Sequence, residues 1–343
     1  MVTKLDIENF LSQSRGHPVI DVRSPAEYEH AHIPGAISLP LFSNDERAVI
    51  GTIYKQQGRE KAMTMGLEFY GKNMQRIISE LKNQTSDKQI FIHCWRGGMR
   101  SGVVAWMLDL FGYKVSTLNK GYKAFRRAVL DSFSLPKNIL ILGGKTGSAK
   151  TRVLHELKSL GEQVIDLEAL AHHKGSAFGG IAETPAPSQE QFENDLYMQF
   201  RNLDSTKLIW LEDESQRIGL INLPNELWSQ MRNAKVIYLD IPFDERLKYL
   251  VETYGSFGKN ELIDSTQRIQ KKLGGLETKN AIQFIDEGKL SDAFAILLRY
   301  YDKFYSKATD QRPKENIEKI PIEKISPSFI ASKVTQREVA SAQ

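Results

Sequence analysis

The sequence predicts two parallel α/β domains in series, the second running on into a helical C-terminal part. Three observations predict this. Short apolar runs rich in Val, Ile and Leu alternate with helical stretches, the pattern of a parallel sheet flanked by helices. The alternation is interrupted once, by DSFSLPKN at 131–138, with Pro136 as punctuation. A chain of 343 residues also suits two domains of ordinary size better than one. The expected boundaries are 1–133 for the first domain, 134–327 for the second, and 328–343 for a polar, loosely held tail.

In the first domain, HPVIDVR (17–23), AISLPL (36–41), QIFIHC (89–94) and KVSTL (114–118) read as strands. SPAEYEHA, the stretch around NMQRIISELKN, and SGVVAWMLDLFG supply the helices between them. In the second, strand KNILILGG leads into helix AKTRVLHELKSLG. Strand QVIDL, helix QEQFENDLYMQFRNL, strand KLIWLED, helix NELWSQMRNA and strand KVIYLDI follow. From Phe243 to about Asp310 the pattern is mostly helical.

The composition is 41% hydrophobic and 26% charged, that of a soluble globular protein. No run approaches the roughly 20 apolar residues that span a bilayer. The start, MVTKLDIENFLSQSRG, lacks the basic-then-apolar order of a secretory signal, so a cytoplasmic protein is expected. A net charge of +4 permits a nucleic-acid partner without demanding one. The single cysteine, Cys94, cannot form an internal disulfide.

Cys94 stands where a strand ends and a helix begins, in IFIHCWRGGMRSGVVAWML. Gly97 and Gly98 allow a tight loop, Trp95 to Met99, whose backbone N–H groups converge on one point. The helix from Ser101 aims its positive end there, and Arg96 and Arg100 add full charges. These features favour a thiolate and hold an anion against it, which a buried structural cysteine does not need. Cys94, Arg96 and Arg100 are therefore the expected catalytic residues.

A second anion site is written at 143–151, GGKTGSAKT, after an apolar strand and at the opening of a helix. That is the setting of a P-loop. Gly144, Lys145, Thr146, Gly147, Ser148, Ala149, Lys150 and Thr151 form the expected phosphate cradle, with Ala149 in place of the second glycine. The strand KLIWLEDES ends on Glu212, Asp213 and Glu214, the place of a Walker B-like acid. Thr151 and Asp213 are the expected magnesium ligands. Arg217 is expected near the phosphates, and His172, His173 and Lys174 near the pocket without zinc spacing.

DVRSPAEYEHAHIPGAISLP, with Asp21, Arg23, Glu27, His32, Pro34 and Gly35, together with the Cys94 loop resembles rhodanese domains over roughly the first 130 residues. Such domains move sulfur or selenium on a cysteine; the early signature is largely architectural. The loop reads His93-Cys94-x5-Arg100, one residue longer than the commonest sulfurtransferase form and similar to dual-specificity phosphatases of the rhodanese fold.

GTIYKQQGREKAMTMG (51–66), GSAFGG (175–180) and EDESQRIG (212–219) extend the likeness. With the two loops, they resemble the tRNA 2-selenouridine synthase family over about residues 5–310. The departures are Ala149, where a glycine is expected, and His172–Lys174, where an arginine is expected before GS. The resemblance implies a transferase acting on 2-thiouridine at the tRNA wobble position. It implies geranylation of the sulfur from geranyl diphosphate, then exchange for selenium from selenophosphate through a selanylcysteine at Cys94. Magnesium accompanies the diphosphate, no tightly bound cofactor is implied, and a monomer is expected.

Tyr54, Lys55 and Arg59 suit an unstacked base and its phosphates. Lys120, Lys123, Arg126 and Arg127 are expected to extend an RNA track or to form a solvated face. Three rivals stay open: a phosphatase on the Cys94 loop, a selenium or sulfur carrier, and a small-molecule kinase with a regulatory first domain.

Overall fold

The computed structural model describes residues 1–175 and 184–341. They fall into two units, Met1–Ser132 with Glu193–Met198, and Phe133–Phe192 with Gln199–Gln343. No described helix is long and apolar enough to cross a membrane.

The sheet of the first unit comprises β1 (Thr3–Leu5), β2 (Val19–Asp21), β3 (Ile37–Ser38), β4 (Gln89–His93) and β5 (Lys114–Leu118). The order is β1-β5-β4-β2-β3, with every pairing parallel. Central β4 explains its own sequence: Ile90, Phe91, Ile92 and His93 are fully buried, so both faces must be covered and no alternation appears. The helix Met99–Leu110 supplies Val104 and Leu108 to one core with Ile20, Val22, Ile77, Leu81 and Ile92. Cys94 closes the C-terminal end of β4, the edge of a parallel sheet where ligands gather. The segment 51–66 belongs to two consecutive helices, Asn44–Gln57 and Arg59–Gln84, broken by Gly58 at φ +91°.

The second unit repeats the plan with β6 (Ile139–Gly143), β7 (Gln163–Val164), β8 (Ile209–Glu212), β11 (Lys235–Asp240) and β12 (Ile317–Pro321). Their order is β12-β11-β6-β8-β7, again all parallel. A short antiparallel hairpin pairs β9 (Arg217–Ile218) with β10 (Ile221–Asn222). The P-loop follows the central strand, β6, all five residues of which are buried.

Two features depart from the sequence expectation. β12 adds an edge strand, and the expected polar tail is the helix Pro327–Ser341. Ile330, Ala331 and Val334 of that helix are fully buried in the core of the second sheet. Three apolar residues at helical spacing suffice to dock a segment that is polar on average. The helices Phe243–Tyr254, Lys259–Arg268, Gly275–Asp286 and Leu290–Thr309 form a separate core around Leu250, Tyr254, Leu262, Ile285, Phe294, Leu297 and Leu298.

Candidate functional site

The Cys94 loop is fixed by two backbone positions that only glycine fits. Gly97 sits at φ +60°, and a Cβ there would meet the Leu118 carbonyl oxygen at 2.4 Å. Gly121 sits at φ +58°, and its Cβ would meet the Cys94 carbonyl oxygen at 2.2 Å. The Cys94 carbonyl in turn accepts from the Tyr122 N–H at 2.8 Å. The loop is thereby stitched to the start of the helix Gly121–Ser132. The thiol lies at its base, 3% exposed, with Sγ 3.2 Å from Ser101 Oγ. Gly98 caps the helix Met99–Leu110 with no side-chain acceptor on its first N–H groups. Its partly positive end is left facing the loop.

The arginines behave differently from one another. Arg96 is exposed on the loop, as are Trp95, Gly98 and Met99. Arg100 donates from Nη1 to Glu27 Oε2 at 2.6 Å, so its charge is already met by the helix Pro25–His30. Burial pushes the Glu27 carboxyl up, but Arg100 and Arg47 outweigh it and hold it below the usual range. Behind the loop, Arg23 is fully enclosed, pairing with Asp21 at 2.6 Å and lying 3.9 Å over the Tyr122 ring. His93 is wholly buried, and burial, opposed by Asp21 and aided by Arg23, pulls its pKa down to about 4. It is a neutral wall beside the cysteine at physiological pH, and neither ring nitrogen has a hydrogen-bond partner among the described residues.

The P-loop carries its own signature of strain. Gly144 and Gly147 adopt φ of +150° and +83°, and Ala149 adopts φ +56°. A Cβ is therefore held in the left-handed region at the one position where glycine is missing. Lys150 donates to the Gly144 carbonyl at 3.0 Å, and the Gly144 N–H donates to Tyr305 Oη at 2.9 Å. Arg246 clasps Thr146 O at 3.1 Å and pairs with Asp302 at 2.8 Å, with Lys145 3.8 Å from the same carboxylate. Ser148 is buried, its hydroxyl without a hydrogen-bond partner among the described residues.

The acidic strand end does not assemble the expected magnesium pair. Asp213 accepts from Arg312 Nη2 at 2.5 Å and from Tyr305 Oη at 2.6 Å. Thr151 Oγ1 donates instead to Glu168 Oε2 at 2.8 Å. Thr151 and Asp213 thus belong to separate networks, because Arg312 already neutralises the aspartate. Glu168 and Glu214 converge beside Gly175, where a Cβ would lie 2.6 Å from an oxygen of each. Burial, then the Glu168 charge, opposed by Lys150, pushes the Glu214 pKa up to about 8. Burial, with Asp166, Glu168 and Glu214 around it, raises Glu212 well above the usual range, and its Oε1 accepts from the Glu168 N–H at 2.7 Å. Among the described residues no group of three or more His, Cys, Asp or Glu is gathered in a way that could hold a metal ion.

The remaining expected residues are dispersed. Tyr54 is 56% exposed, and Lys55 and Arg59 are exposed on the helices of the first unit. In the basic run, Arg126 is largely enclosed and pairs with Glu193 at 2.5 Å, which removes it from any free cationic track. Arg217 is exposed, donates to Gly219 O at 3.0 Å and is not among the residues that line the cavity at the P-loop. His172 takes φ +51° at a helix end, its Nδ1 2.9 Å from Thr184 Oγ1. Ser176–Gly180 of the GSAFGG segment lie outside the described residues.

Sequence reasoning missed Ser101, Glu168, Tyr305 and Arg312. Ser101, one position after the loop arginine, was legible as a neighbour of the thiol. The other three lie on other elements of the second unit, where folding brings Glu168 to Thr151, Tyr305 to Gly144 and Arg312 to Asp213.

Residues 137–333 match the family described as the tRNA 2-selenouridine synthase AAA domain, and residues 6–128 match the rhodanese-like domain. The chain is 37% identical to the tRNA 2-selenouridine synthase of Nitrosomonas europaea, covering 69% of this chain and 63% of that relative. It is 34% identical to that of Bdellovibrio bacteriovorus, covering 80% and 81%. Against that of Proteus mirabilis it is 32% identical, covering 84% and 88%. A rhodanese-like thiol loop followed by this particular phosphate-loop domain, in relatives matched over most of their length, leaves one conclusion: the chain belongs to the tRNA 2-selenouridine synthase family, whose members modify tRNA.

Proposed function

We propose that this protein converts 2-thiouridine at the tRNA wobble position into 2-selenouridine in two steps. In the first, the thio-sulfur attacks C1 of geranyl diphosphate. A C–S bond forms, the C1–O bond breaks, and diphosphate leaves with its electron pair. In the second, selenophosphate supplies selenium to C2 at the Cys94 loop. A C2–Se bond replaces C2–S and geranylthiol leaves. Water takes selenium's place on phosphorus to give phosphate, so the net exchange needs no oxidant or reductant.

The observation that carries the reading is the buried Cys94 thiol at the base of a glycine-shaped loop, facing an uncapped helix N-terminus. An anionic donor settled there is met by backbone N–H groups, and Arg96 lies on the loop to orient its phosphate. Arg100 joins it by giving up part of its bond to Glu27. Ser101 Oγ, 3.2 Å from Sγ, steadies the sulfur.

In the second unit, Gly144–Thr151 takes the diphosphate through backbone N–H groups and Lys150. Magnesium keeps several waters and needs few protein oxygens when a diphosphate supplies others. Thr151, Glu168 and Glu214 are the hard oxygen donors gathered beside Lys150, and a cation there offsets the crowding of two carboxylates. Bound magnesium would neutralise charge on the leaving diphosphate. Tyr54, Lys55 and Arg59, exposed together on the first unit, are the proposed contacts to the RNA.

The test is nucleoside mass spectrometry of 2-thiouridine tRNA incubated with the protein, geranyl diphosphate, magnesium and selenophosphate. Conversion to 2-selenouridine by the wild type, with arrest at the geranylated nucleoside for Cys94→Ala, is the expected result. Unchanged tRNA with phosphate release from a generic phosphomonoester would replace the reading with a phosphatase. A labelled Cys94 on unchanged tRNA would replace it with a carrier.

A further inference from the structure

The phosphate loop opens onto a cavity of about 830 Å³ whose two ends differ in chemistry. At one end lie Lys150, Thr151, Glu168 and Glu214. At the other, the helices Phe243–Tyr254 and Leu290–Thr309 contribute Leu250, Tyr254, Phe294, Leu297 and Leu298. All five are buried and belong to the core of the helical part. The ends adjoin directly. A Cβ on Gly147 would come within 3.1 Å of Leu250 Cγ, and the Arg152 guanidinium lies 5.3 Å from the Tyr249 ring.

A phosphate cradle says only that the ligand carries phosphate; the far wall says what the phosphate is attached to. Reading a nucleobase takes amide, carboxylate or backbone groups aimed at its polar edge. The lining side chains that these two helices contribute include no amide and no carboxylate; beside the aliphatic and aromatic groups stands the Thr253 hydroxyl. Lys272 and Gln311 of the lining are exposed, and Trp228 and Arg232 line it half-buried from the helix Asn225–Asn233, outside the helical core. Apolar side chains that face a cavity are satisfied by a hydrocarbon, whose burial there removes its own surface from water as well.

We propose that this apolar end is the binding subsite for the isoprenoid chain of a prenyl diphosphate, with Leu250, Phe294 and Leu297 as its walls. The proposal rests on the reading that Gly144–Thr151 takes a prenyl diphosphate, and it adds where the chain lies and what selects it. The helical part is then a specificity element: it makes a phosphate loop prefer a long apolar tail over a nucleoside.

The experiment is calorimetric titration of the full-length protein, with magnesium, using inorganic diphosphate, dimethylallyl diphosphate, geranyl diphosphate and ATP. In the wild type, geranyl diphosphate should bind about 30-fold tighter than dimethylallyl diphosphate, as half-burying five further carbons yields. Leu297→Ser and Phe294→Ser should each lose most of that increment while still binding inorganic diphosphate, which also reports that they fold. Equal affinity for the two prenyl diphosphates in the wild type overturns the proposal without recourse to any variant. Geranyl diphosphate binding that Lys150→Ala abolishes and both serine variants leave untouched overturns the chain subsite alone. Tight ATP binding with no binding of geranyl diphosphate overturns the reading of the loop itself, and the subsite with it.

Discussion

The two anion loops of this chain share one plan and differ in what surrounds it. Each follows the central strand of a five-stranded parallel sheet and opens a helix. Around Cys94 the two enclosed arginines are paired before any ligand arrives, Arg23 with Asp21 and Arg100 with Glu27, and Arg96 stands exposed on the loop. Around Lys150 acids are in excess, and Glu168, Glu212 and Glu214 are all held above their usual range, chiefly by burial. A nucleophilic loop needs a quiet field so that the thiol meets its donor and little else. A loop that grips a diphosphate with a divalent cation gains from carboxylates that the cation can bridge. The contrast is between a loop whose enclosed ions are paired and one whose carboxylates are crowded together.

The sharpest way to break that division is to remove each loop's key group in turn. Cys94→Ala should lower 2-selenouridine formation by about 10³-fold or more while leaving geranyl diphosphate binding at the wild-type value. Lys150→Ala should do the reverse to binding; selenation of supplied geranylated tRNA should persist. Paired mass spectrometry and calorimetry on both variants read this directly, and a binding defect in Cys94→Ala would dissolve the distinction.

The next effect concerns how each loop is anchored. Arg312 is almost fully enclosed and pairs with Asp213. Arg312→Ala should cost about 3–5 kcal/mol, because the aspartate would be left buried without its partner. Urea unfolding would measure it. The Glu27–Arg100 pair is only partly enclosed, and Glu27→Gln should cost about 1 kcal/mol or less. That variant should alter the KM for selenophosphate more than stability, since it releases Arg100 toward the donor.

Acid should separate the two loops further. The folded pKa of His93 is about 4 against an ordinary 6.5. On acidification the unfolded chain therefore takes up this proton first. Stability from the neutral imidazole is complete above pH 6.5 and is lost progressively down to about pH 4, by at most about 3 kcal/mol. His93→Gln should flatten that slope in chemical denaturation followed from pH 7 to pH 4.

The smallest effect tests the irregular residue of the P-loop. Ala149 holds φ +56°, where an L side chain is strained. Ala149→Gly should stabilise the protein by about 0.5–1 kcal/mol, the relief of a left-handed Cβ less the added freedom of the unfolded chain. A raised urea midpoint with unchanged diphosphate affinity is the expected outcome.

Much of this architecture was legible in the residues. The apolar runs of β4 and β6 announced buried parallel strands, and GGKTGSAKT and HCWRGGMRS announced loops that need glycine and cation at fixed spacing. Such signals are local, set by backbone sterics and by burial on two faces of a strand. The short edge strands β1 and β12 gave no such signal, and the terminal helix hid its three core residues in a polar stretch.

The sequence by itself therefore determined the two loops, the order of the domains and the place of the single cysteine at the end of a strand. Only the tertiary structure decided which charges are available. Asp213, set beside Thr151 by motif spacing, is claimed by Arg312, which lies 99 residues along the chain. Arg100, placed by its spacing from the cysteine, is met by Glu27, 73 residues before it. Motif spacing fixes where a charged group stands on its own element. Whether that charge is neutralised depends on a side chain brought from elsewhere to within a few ångströms, a distance at which pairing outweighs anything the local sequence encodes.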